Sequence, residues 1–431
     1  MDIRKISVSK INPAPYNPRV DLQPGDIEYE KLKRSIEEFG CVETLVWNER
    51  TGNLVGGHQR FKILVNELGS TEVNVSVVDL DDIREKALNI ALNKISGAWD
   101  EEMLAQVLVE LQESDLDVEL TGFDLDEAVD LINDFVNIEI DEPVKEDDFD
   151  VEKALNDIVE PETKPGDIWR LGRHILMCGD ATREQDIKRL MDGQQAALVV
   201  TDPPYNVAVK SESAGLALDG RESILNDDMP MEQFADFLQT VFANYASIMD
   251  PKAAIYVFHP SSYQREFENK MNEAGIVSRT QCIWVKNAFS LSFAQYKFKH
   301  EPVFYAHLKG QAPAWYGDRK QTTVWRTELS LIPEEPETVW EVSRGDVSKY
   351  VHPTQKPLAL LAIPIGNSSQ KGDTTVDFFG GSGSTLMTCE QMGRICRTME
   401  LDPKFCDVIK RRFYELTGIE PVLLTRQSAR K

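Results

Sequence analysis

The sequence predicts an α/β protein of two units, the second with a mainly parallel sheet. From Gly166 onward, short apolar strands alternate with helical segments, a pattern typical of a parallel sheet with helices on both faces. Residues 1–99 have a separate pattern of shorter strands and helices, as expected for a small α+β domain. A strongly acidic segment of low hydrophobicity lies between the two units.

The composition excludes several classes of protein. The 431 residues leave room for about three domains. Hydrophobic residues make up 42% of the chain and aromatic residues 8%, which excludes general disorder. No apolar run approaches a membrane span and MDIRKISVSK lacks a signal-peptide core, so we expect no membrane partner and a cytoplasmic location. The six cysteines are scattered without a C-x-x-C pair, which argues against a disulfide framework or a cysteine-built metal site.

The net charge of −25 is concentrated in one segment. Residues 110–162 contain 21 acidic residues and two lysines, whereas the other 378 residues carry a net charge of only −6. The overall acidity therefore does not exclude a face that binds nucleic acid.

We interpret residues 100–165 as an acidic helical region and linker. Helices are predicted near Glu101–Gln112 and Leu125–Phe135, and the linker over residues 141–164. An alternative is that the acidic run mimics DNA and covers a basic cleft. We favour the linker because like charges repel and extend the chain.

The elements of the N-terminal unit follow one another closely. Helices are predicted at Ile27–Phe39, His58–Leu68 and Asp82–Asn93, with the first ending at Gly40. Strands are predicted at ISVSKI, on both sides of the turn in TLVWNERTGNLVGG, and at VNVSVVDL.

The second unit begins with two strands around Gly172 and the buried strand ALVV at 197–200. The remaining predicted elements, in order, are a helix over Met231–Met249, a strand over 254–258, a helix over Ser261–Ala274, the strands CIWV and PVFYAHL, a helix over Pro357–Asn367, the strand TTVDFF, a helix over Ser384–Met392, the strand RICRTME and a helix over Phe405–Leu416. Ligands of such sheets bind at the carboxyl ends of the strands.

A glycine-rich turn follows one of these strands, in DTTVDFFGGSGST at 373–385. Gly380, Gly381 and Gly383 allow a tight turn and a close approach of the backbone to a ligand. Glu400 ends the next strand, where a carboxylate can accept hydrogen bonds from both hydroxyls of a ribose. The lysine of a phosphate-binding P-loop is absent from this motif, so we expect a nucleoside cofactor without phosphates.

The strand ALVV leads directly into Thr201-Asp-Pro-Pro-Tyr205. The two prolines stiffen the backbone and leave carbonyl groups free as acceptors. An exocyclic amine of a planar base can donate one hydrogen bond to Asp202 and one to the Pro203 carbonyl, while Tyr205 stacks on the base. A duplex hides that amine, so the base would have to be flipped out.

DPPY, F-x-G-x-G and their order along the chain resemble the beta class of S-adenosylmethionine-dependent DNA amino-methyltransferases, which modify adenine N6 or cytosine N4. The resemblance covers roughly residues 166–418 and implies a Rossmann-like, mainly parallel sheet with a permuted motif order. It also implies double-stranded DNA as the substrate, S-adenosyl-L-methionine as the cofactor, and direct methyl transfer without a metal. The residues implied as catalytic are Asp202, Pro203, Pro204 and Tyr205.

The same resemblance implies a set of cofactor contacts. His352-Pro-Thr-Gln-Lys-Pro357 is similar to the family motif that helps hold the methionine end, and Gly179-Asp180 to the acidic motif near the adenosine. Asp180 would alternatively cap a helix. The implied cofactor-binding residues are Asp180, Thr354, Lys356, Asp377, Phe379, Gly380, Gly381, Gly383 and Glu400.

The target base has two interpretations. We favour adenine N6 because the first residue of DPPY is Asp, whereas cytosine-N4 members more often carry Ser. For the chain as a whole, the competing interpretation is a ParB-like DNA-binding regulator with an inactive methyltransferase half, which the intact motifs disfavour.

A basic, aromatic-rich insert at about 286–350 is the predicted target-recognition region. Residues 286–331 contain seven basic and three acidic residues with seven aromatic residues outside the neighbouring strand, which suits phosphate contact and base stacking. Some of these aromatic residues would instead form a local core. The predicted DNA contacts are Lys286, Lys297, Lys299, Arg319, Lys320 and Arg326.

Three N-terminal motifs resemble the ParB/sulfiredoxin-type domain over roughly residues 3–95: Tyr16-Asn-Pro-Arg19, Ser35-Ile-x-x-Phe-Gly40 and Val55-Gly-Gly-His-Gln-Arg60. A Gly-Gly turn before a helix, with two arginines nearby, predicts a nucleotide or phosphate site formed by Arg19, Gly56, Gly57, His58 and Arg60. His58 stands where sulfiredoxins have cysteine, so redox chemistry is not supported. The expected partners are DNA, a nucleotide at this domain and a second copy of the chain in a homodimer.

Overall fold

The computed structural model describes residues 2–94, 99–114, 118–123, 125–135, 141–206, 229–286, 299–317, 321–325, 340–342 and 356–425. The chain divides into two compact units, Met1–Ile138 and Glu139–Lys431, and each has a sheet of its own. Within these ranges, every helix is too short or too polar to cross a membrane.

The N-terminal unit is built on a five-stranded mixed sheet. Its strands are β1 (Ile3–Ser7), β2 (Asn12–Pro13), β3 (Leu45–Asn48), β4 (Asn53–Gly56) and β5 (Glu72–Val78). Its helices are α1 (Ile27–Phe39), α2 (His58–Lys62), α3 (Asp82–Asn93), α4 (Glu101–Glu113) and α5 (Leu125–Phe135). The strand order is β1-β5-β3-β4-β2, with β3 parallel to β5 and antiparallel to β4.

Local signals explain why several helices have the predicted bounds. Helix α1 ends where Gly40 adopts a φ of +74°, and α3 begins after Asp81, whose side chain accepts the Arg84 N–H. The predicted helix over His58–Leu68 is confirmed up to Lys62 and then widens into a π-helix over Ile63–Glu67. Its apolar residues still pack inward, with Ile63 fully buried.

The second unit contains the remaining elements. Its strands are β6 (Ile168–Leu171), β7 (His174–Cys178), β8 (Ala196–Thr201), β9 (Met249–Phe258), β10 (Ile276–Lys286), β11 (His300–Leu308), β12 (Val324–Trp325), β13 (Trp340–Val342), β14 (Thr374–Asp377), β15 (Ile395–Glu400) and β16 (Val422–Thr425). Its helices are α6 (Val151–Asp157), α7 (Glu184–Met191), α8 (Met231–Ile248), α9 (Gln264–Glu273), α10 (Leu358–Ser368), α11 (Ser384–Gln391) and α12 (Pro403–Thr417).

These strands form one sheet in the order β12-β10-β11-β9-β8-β14-β15-β7-β6-β16, and β13 also pairs with β10. The five central strands, from β9 to β7, are parallel, which confirms the predicted fold class. Antiparallel pairs extend the sheet on both sides, so the sheet as a whole is mixed. The antiparallel β6–β7 pair follows from its tight connection, in which Gly172 has a φ of +55°.

Both faces of this sheet are covered, and its central strand β8 is apolar up to its last residue, Thr201. Leu198 and Val200 of β8 belong to one core with helices α10, α11 and α12, and the intervening Val199 belongs to another with α8 and α9. A strand buried on both faces reads as a continuous apolar run, as ALVV does.

The acidic segment over residues 141–164, which we call the acidic strap, differs from the extended solvated linker expected from its charge. It contains α6, whose Val151 and Ala154 are buried with Val408 of α12. Two of its aspartates form ion pairs with buried arginines of the second unit. These partners lie far away in sequence, so the charge pattern of the segment alone could not indicate them.

Tyr245 of α8 joins the two strands that carry the predicted motifs. Its ring stacks on Phe378 with the centroids 4.2 Å apart. Its hydroxyl lies 2.7 Å from Thr201 Oγ1, at the end of β8, and accepts the Phe378 N–H at 2.8 Å, just past β14. All three residues are buried, so the hydroxyl is a shared partner of groups that water cannot reach.

We predict that Tyr245→Phe lowers the free energy of unfolding by about 1–3 kcal/mol, because a buried N–H loses its acceptor. Urea denaturation of the full chain measures this change. The matched control is Tyr414→Phe at an exposed position, where a change within about 0.5 kcal/mol is expected. Equal stability of the two variants would contradict the bridging role of Tyr245.

Candidate active site

Four carboxylates stand at neighbouring strand ends of the second unit. Strands β7, β15, β14 and β8 lie side by side in parallel, and each leads to an acidic residue: Asp180, Glu400, Asp377 and Asp202 respectively. The carboxyl ends of parallel strands share one edge of a sheet, where ligands of open α/β sheets bind. The sheet therefore brings the DPPY motif and the glycine turn (residues 380–383) to the same edge.

The DPPY residues are held by a network of polar contacts. Asp202 Oδ2 accepts a hydrogen bond from Lys356 Nζ at 2.6 Å. The Tyr205 hydroxyl lies 2.6 Å from both Asp202 Oδ1 and Glu301 Oε1, and its single hydrogen can be donated to one of these oxygens at a time. Pro203 is buried and Pro204 is partly buried beside them.

Glu301 of β11 is a member of this network that the sequence analysis missed. It forms ion pairs with Lys286 at 2.5 Å and Lys356 at 2.8 Å. Together with Asp202, these residues form a buried cluster of two cations and two anions, which balances its charges. One sequence signal could have revealed it, because a glutamate in the apolar run His300–Leu308 needs a buried partner.

Burial and charge act in opposite directions within this cluster. Burial raises the pKa of Asp202, and Lys356 only partly opposes that change. Burial also favours neutral Glu301 and Lys356, but the two lysines hold the pKa of Glu301 well below its usual range. Asp202 and Glu301 together raise the pKa of Lys356. Glu301 and Lys356 are therefore a fixed ion pair, and Asp202 is the member of the cluster best suited to take up a proton.

The glycine turn has a shape that needs its glycines. Gly381 and Gly383 have φ values of +51° and +87°. A Cβ atom on Gly380 would lie 2.7 Å from Thr398 Oγ1, and one on Gly383 would lie 3.0 Å from Ile409. The turn leads directly into α11, whose first residue is Ser384.

Glu400 and Asp377 present carboxylates on either side of this turn. Glu400 accepts one backbone N–H at each oxygen, from Gly381 at 2.8 Å and Asp402 at 2.9 Å, which leaves further acceptor capacity at both oxygens. Asp377 accepts the Phe379 N–H and the Thr385 hydroxyl. Burial raises the pKa of each of these carboxyls to about 7.

Two other predicted cofactor residues lie close by. Phe379 packs edge-on against Phe237 of α8, with the ring centroids 6.1 Å apart. Asp180 closes a short turn by accepting the N–H and hydroxyl of Thr182. Helix α7 begins later, with Arg183 at its N-cap position, so Asp180 does not cap it. Thr354 lies outside the described residues.

The predicted DNA contacts are only partly described. Lys299 is exposed, whereas Lys286 is largely buried in its ion pair with Glu301. Trp325 is buried in the core of the unit and Trp315 packs against it, as expected for some aromatic residues of the insert. Lys297, Arg319, Lys320 and Arg326 lie outside the described residues.

The N-terminal unit brings its own predicted residues together. Gly57 has a φ of +88° and stands before α2, and a Cβ atom on it would lie 2.7 Å from Leu45. Burial lowers the pKa of Arg19, and the charge of Arg60 lowers it further. Arg60 also pairs with Glu43.

His58 and Gly56 complete this N-terminal cluster. Burial lowers the pKa of His58 to about 4, and its Nε2 atom is buried without a hydrogen-bond partner in the described part of the chain. Gly56 ends β4, and a Cβ atom on it would lie 2.9 Å from Leu92. His58 is therefore neutral at physiological pH, and the positive charge of the cluster comes from the arginines.

Comparison with known proteins gives three family matches along the chain. Residues 1–94 match the ParB N-terminal domain, and residues 102–165 match the ParB-methyltransferase HTH domain. The sequence analysis predicted helices in the latter region but did not anticipate a helix-turn-helix. Residues 196–411, half of the chain, match the DNA methylase family.

Individual relatives share only low sequence identity with this chain. The type II methyltransferase M.HpaI from Haemophilus parainfluenzae is 23% identical over 57% of this chain and 76% of its own length. Matches to three curated relatives span 46% to 76% of their lengths. Among solved structures, the M1.HpyAVI–SAM complex has a TM-score of 0.38 at 21% identity, covering 55% of this chain and 98% of its own. The PvuII cytosine-N4-specific DNA methyltransferase has a TM-score of 0.40 at 16% identity, covering 60% and 94%.

The family assignment agrees with the geometry of the sheet edge. The DNA methylase match contains both the DPPY residues and the glycine turn, which the fold places on neighbouring strands. Family membership also supports S-adenosylmethionine as the cofactor, as the sequence predicted. The chain belongs to the N6/N4 family of DNA methylases, and its methylase region follows ParB N-terminal and ParB-methyltransferase HTH domains.

Proposed function

We propose that this protein is a site-specific DNA adenine-N6 methyltransferase that uses S-adenosyl-L-methionine to methylate an adenine flipped out of the duplex. The observation that supports this proposal is the position of Asp202-Pro-Pro-Tyr205 beside the glycine turn on one sheet edge. The choice of adenine rests on the aspartate at the first position of the DPPY motif.

The residues around the glycine turn fit the cofactor. Glu400 retains acceptor capacity at both carboxylate oxygens, which suits the two hydroxyls of a ribose. Asp377 offers a carboxylate for an ammonium group, and Phe379 an apolar surface. We assign Asp180, two residues beyond the end of β7, to the adenosine end of the cofactor. When bound, S-adenosylmethionine supplies a methyl group that is activated by a sulfonium.

In this proposal, Asp202 and the Pro203 carbonyl accept the two hydrogens of an exocyclic amine. Lys356 contacts Asp202 Oδ2, but it also contacts Glu301, so it can release Asp202 without losing a counter-ion. Tyr205 is partly exposed, and its fixed hydroxyl holds the ring at one orientation for stacking on the base.

The chain's contribution to methyl transfer is positioning and proton uptake. Transfer of the methyl group would leave the amine nitrogen positive, and the acceptors at Asp202 and the Pro203 carbonyl would stabilise that charge. The nitrogen then loses one proton, and Asp202 accepts it directly or through water. Burial raises the pKa of Asp202, which favours this step.

We further propose roles for the other parts. Double-stranded DNA contacts the target-recognition insert and the helix-turn-helix region. The cluster around Arg19 and Arg60 binds a nucleotide or phosphate. The chain acts in the cytoplasm, and it does so as a monomer or a homodimer. The N-terminal site is tested by titrating nucleotides against the full wild-type chain and against its Arg60→Ala variant. The proposed site is wrong if neither of these two proteins binds nucleotides.

The product identity is the first prediction of this proposal. Incubation with varied duplex DNA and methyl-labelled cofactor, followed by digestion to nucleosides, should yield N6-methyladenine. N4-methylcytosine would replace the adenine assignment with its alternative, and an absence of transfer would favour a DNA-binding regulator.

Asp202→Ala should lower turnover by at least about 100-fold while cofactor affinity stays within a few-fold. Unchanged turnover in Asp202→Ala would remove this residue from the mechanism.

The second prediction concerns pH. The pKa values of Asp377 and Glu400 are about 7, so both carboxyls are partly protonated near neutral pH and must ionise to accept from the cofactor. Cofactor affinity should therefore rise with pH and fall below pH 7, by up to about tenfold per pH unit for each carboxyl. Calorimetry at pH 6, 7 and 8 measures this dependence, and Glu400→Gln should flatten it. An affinity that falls as pH rises would contradict the prediction.

The third prediction tests charge balance around Asp202. Glu301→Gln leaves Lys286 and Lys356 with too few counter-ions, so the free energy of unfolding should fall by about 3 kcal/mol. The double variant Lys286→Gln/Glu301→Gln restores the balance and should recover part of that loss. A double-mutant cycle in urea measures the coupling, and purely additive losses would show that the two residues act independently.

A further inference from the structure

We propose that the acidic strap helps to form the cofactor site. Asp147 of the strap holds Arg412 of α12, and Arg412 in turn positions the glycine turn for S-adenosylmethionine. Arg412 belongs to α12 and lies one residue beyond the DNA methylase match, and Asp147 lies well before it. This inference rests on the proposed function, because it takes the glycine turn as the place where the cofactor binds.

The guanidinium group of Arg412 connects the strap to the turn. Its Nε and Nη2 atoms donate to the two carboxylate oxygens of Asp147 at 2.7 Å and 3.1 Å. Its Nη1 atom donates to the Ser382 carbonyl at 3.0 Å and lies 3.3 Å from the hydroxyls of Ser382 and Ser384. Arg412 is 1% exposed, so these contacts are made away from water.

The glycine turn needs a hydrogen-bond donor such as Arg412, because its own glycine-rich backbone can adopt several conformations. Ser382 stands between Gly381 and Gly383, both of which have positive φ values. Glycines have access to many conformations, so an external contact is needed to select one. The contact between Arg412 and the Ser382 carbonyl fixes the middle of the turn, and the adjacent Gly381 N–H then meets Glu400 at 2.8 Å.

Asp147 is what keeps Arg412 in this position. Arg412 is a fully buried cation whose other partners in the turn are neutral oxygens. Without the carboxylate, the charge would be left uncompensated, and a buried arginine in that state is strongly destabilising. Arg412 would then move toward water and release the Ser382 carbonyl, so the strap controls the shape of the turn.

The strap also contains a matched ion pair away from the site. Asp141 pairs with Arg394 at 2.6 Å, and Arg394 is 3% exposed. The Nη1 atom that pairs with Asp141 also donates to the Met392 carbonyl, Nη2 donates to the Ser369 carbonyl, and Nε donates to the Ser369 hydroxyl. These carbonyls precede β14 and β15, at the strand ends opposite to the candidate active site. Both pairs join an aspartate of the strap to a buried arginine, but Asp147 accepts from two nitrogens of Arg412, Asp141 accepts from one nitrogen of Arg394, and the two arginines contact different parts of the fold.

The experiment compares Asp147→Asn with Asp141→Asn in the full chain. We expect both variants to lower the urea midpoint by a similar amount. Only Asp147→Asn should raise the Kd for S-adenosylmethionine, by about tenfold or more, and speed hydrogen exchange of the Gly381 and Gly383 amides in the cofactor-free protein. Asp147→Glu, which keeps the charge, should restore part of the affinity.

Three results would overturn the proposal or its basis, and they are distinguishable. A wild-type protein that does not bind S-adenosylmethionine would remove the proposed function itself. If the wild type binds and Asp147→Asn binds equally well with unchanged exchange in the turn, the strap does not position the turn. If Asp141→Asn weakens binding as much as Asp147→Asn, the effect is a general loss of stability.

Discussion

The parallel pairing of β8 with β14 is the constraint on which the candidate site depends. It places the DPPY residues directly beside the glycine turn, although about 175 residues separate the two motifs along the chain. Tyr245 reinforces this arrangement by sharing one hydroxyl between the ends of both strands. A base held at one strand end and a cofactor held at the next can then meet without any further rearrangement of the sheet.

Buried ion pairs are the second structural constraint in this unit. The cluster around Asp202 pairs two lysines with two carboxylates, and the strap pairs two aspartates with two buried arginines. Breaking such pairs is costly, so each one fixes the backbone or side chain that it touches. In the first cluster this fixes Tyr205 and Asp202, and in the strap it fixes the glycine turn. The same physical principle thus serves the proposed base pocket and the proposed cofactor pocket.

Particular residues show how far the sequence could predict the site. DPPY and the glycine turn were visible because proline and glycine have backbone preferences that act locally. Lys356 was predicted at the cofactor from its motif, and the structure adds its contacts with Asp202 and Glu301, which the sequence did not indicate. The glutamate at 301 could have been noticed within its strand, but the partners of Glu301 and Arg412 could not be assigned, since only folding brings them close.

The sequence by itself determined the fold class, the bounds of most helices and the position of both motifs at strand ends, since periodicity and turn chemistry are local properties. The tertiary structure decided which side chains meet. It shows a packed strap where a solvated linker was expected, and it shows that Lys286, one of the predicted DNA contacts, forms an ion pair with Glu301. The physical reason is that the interaction energy of two charges depends on their separation in space, whereas the sequence gives only their separation along the chain.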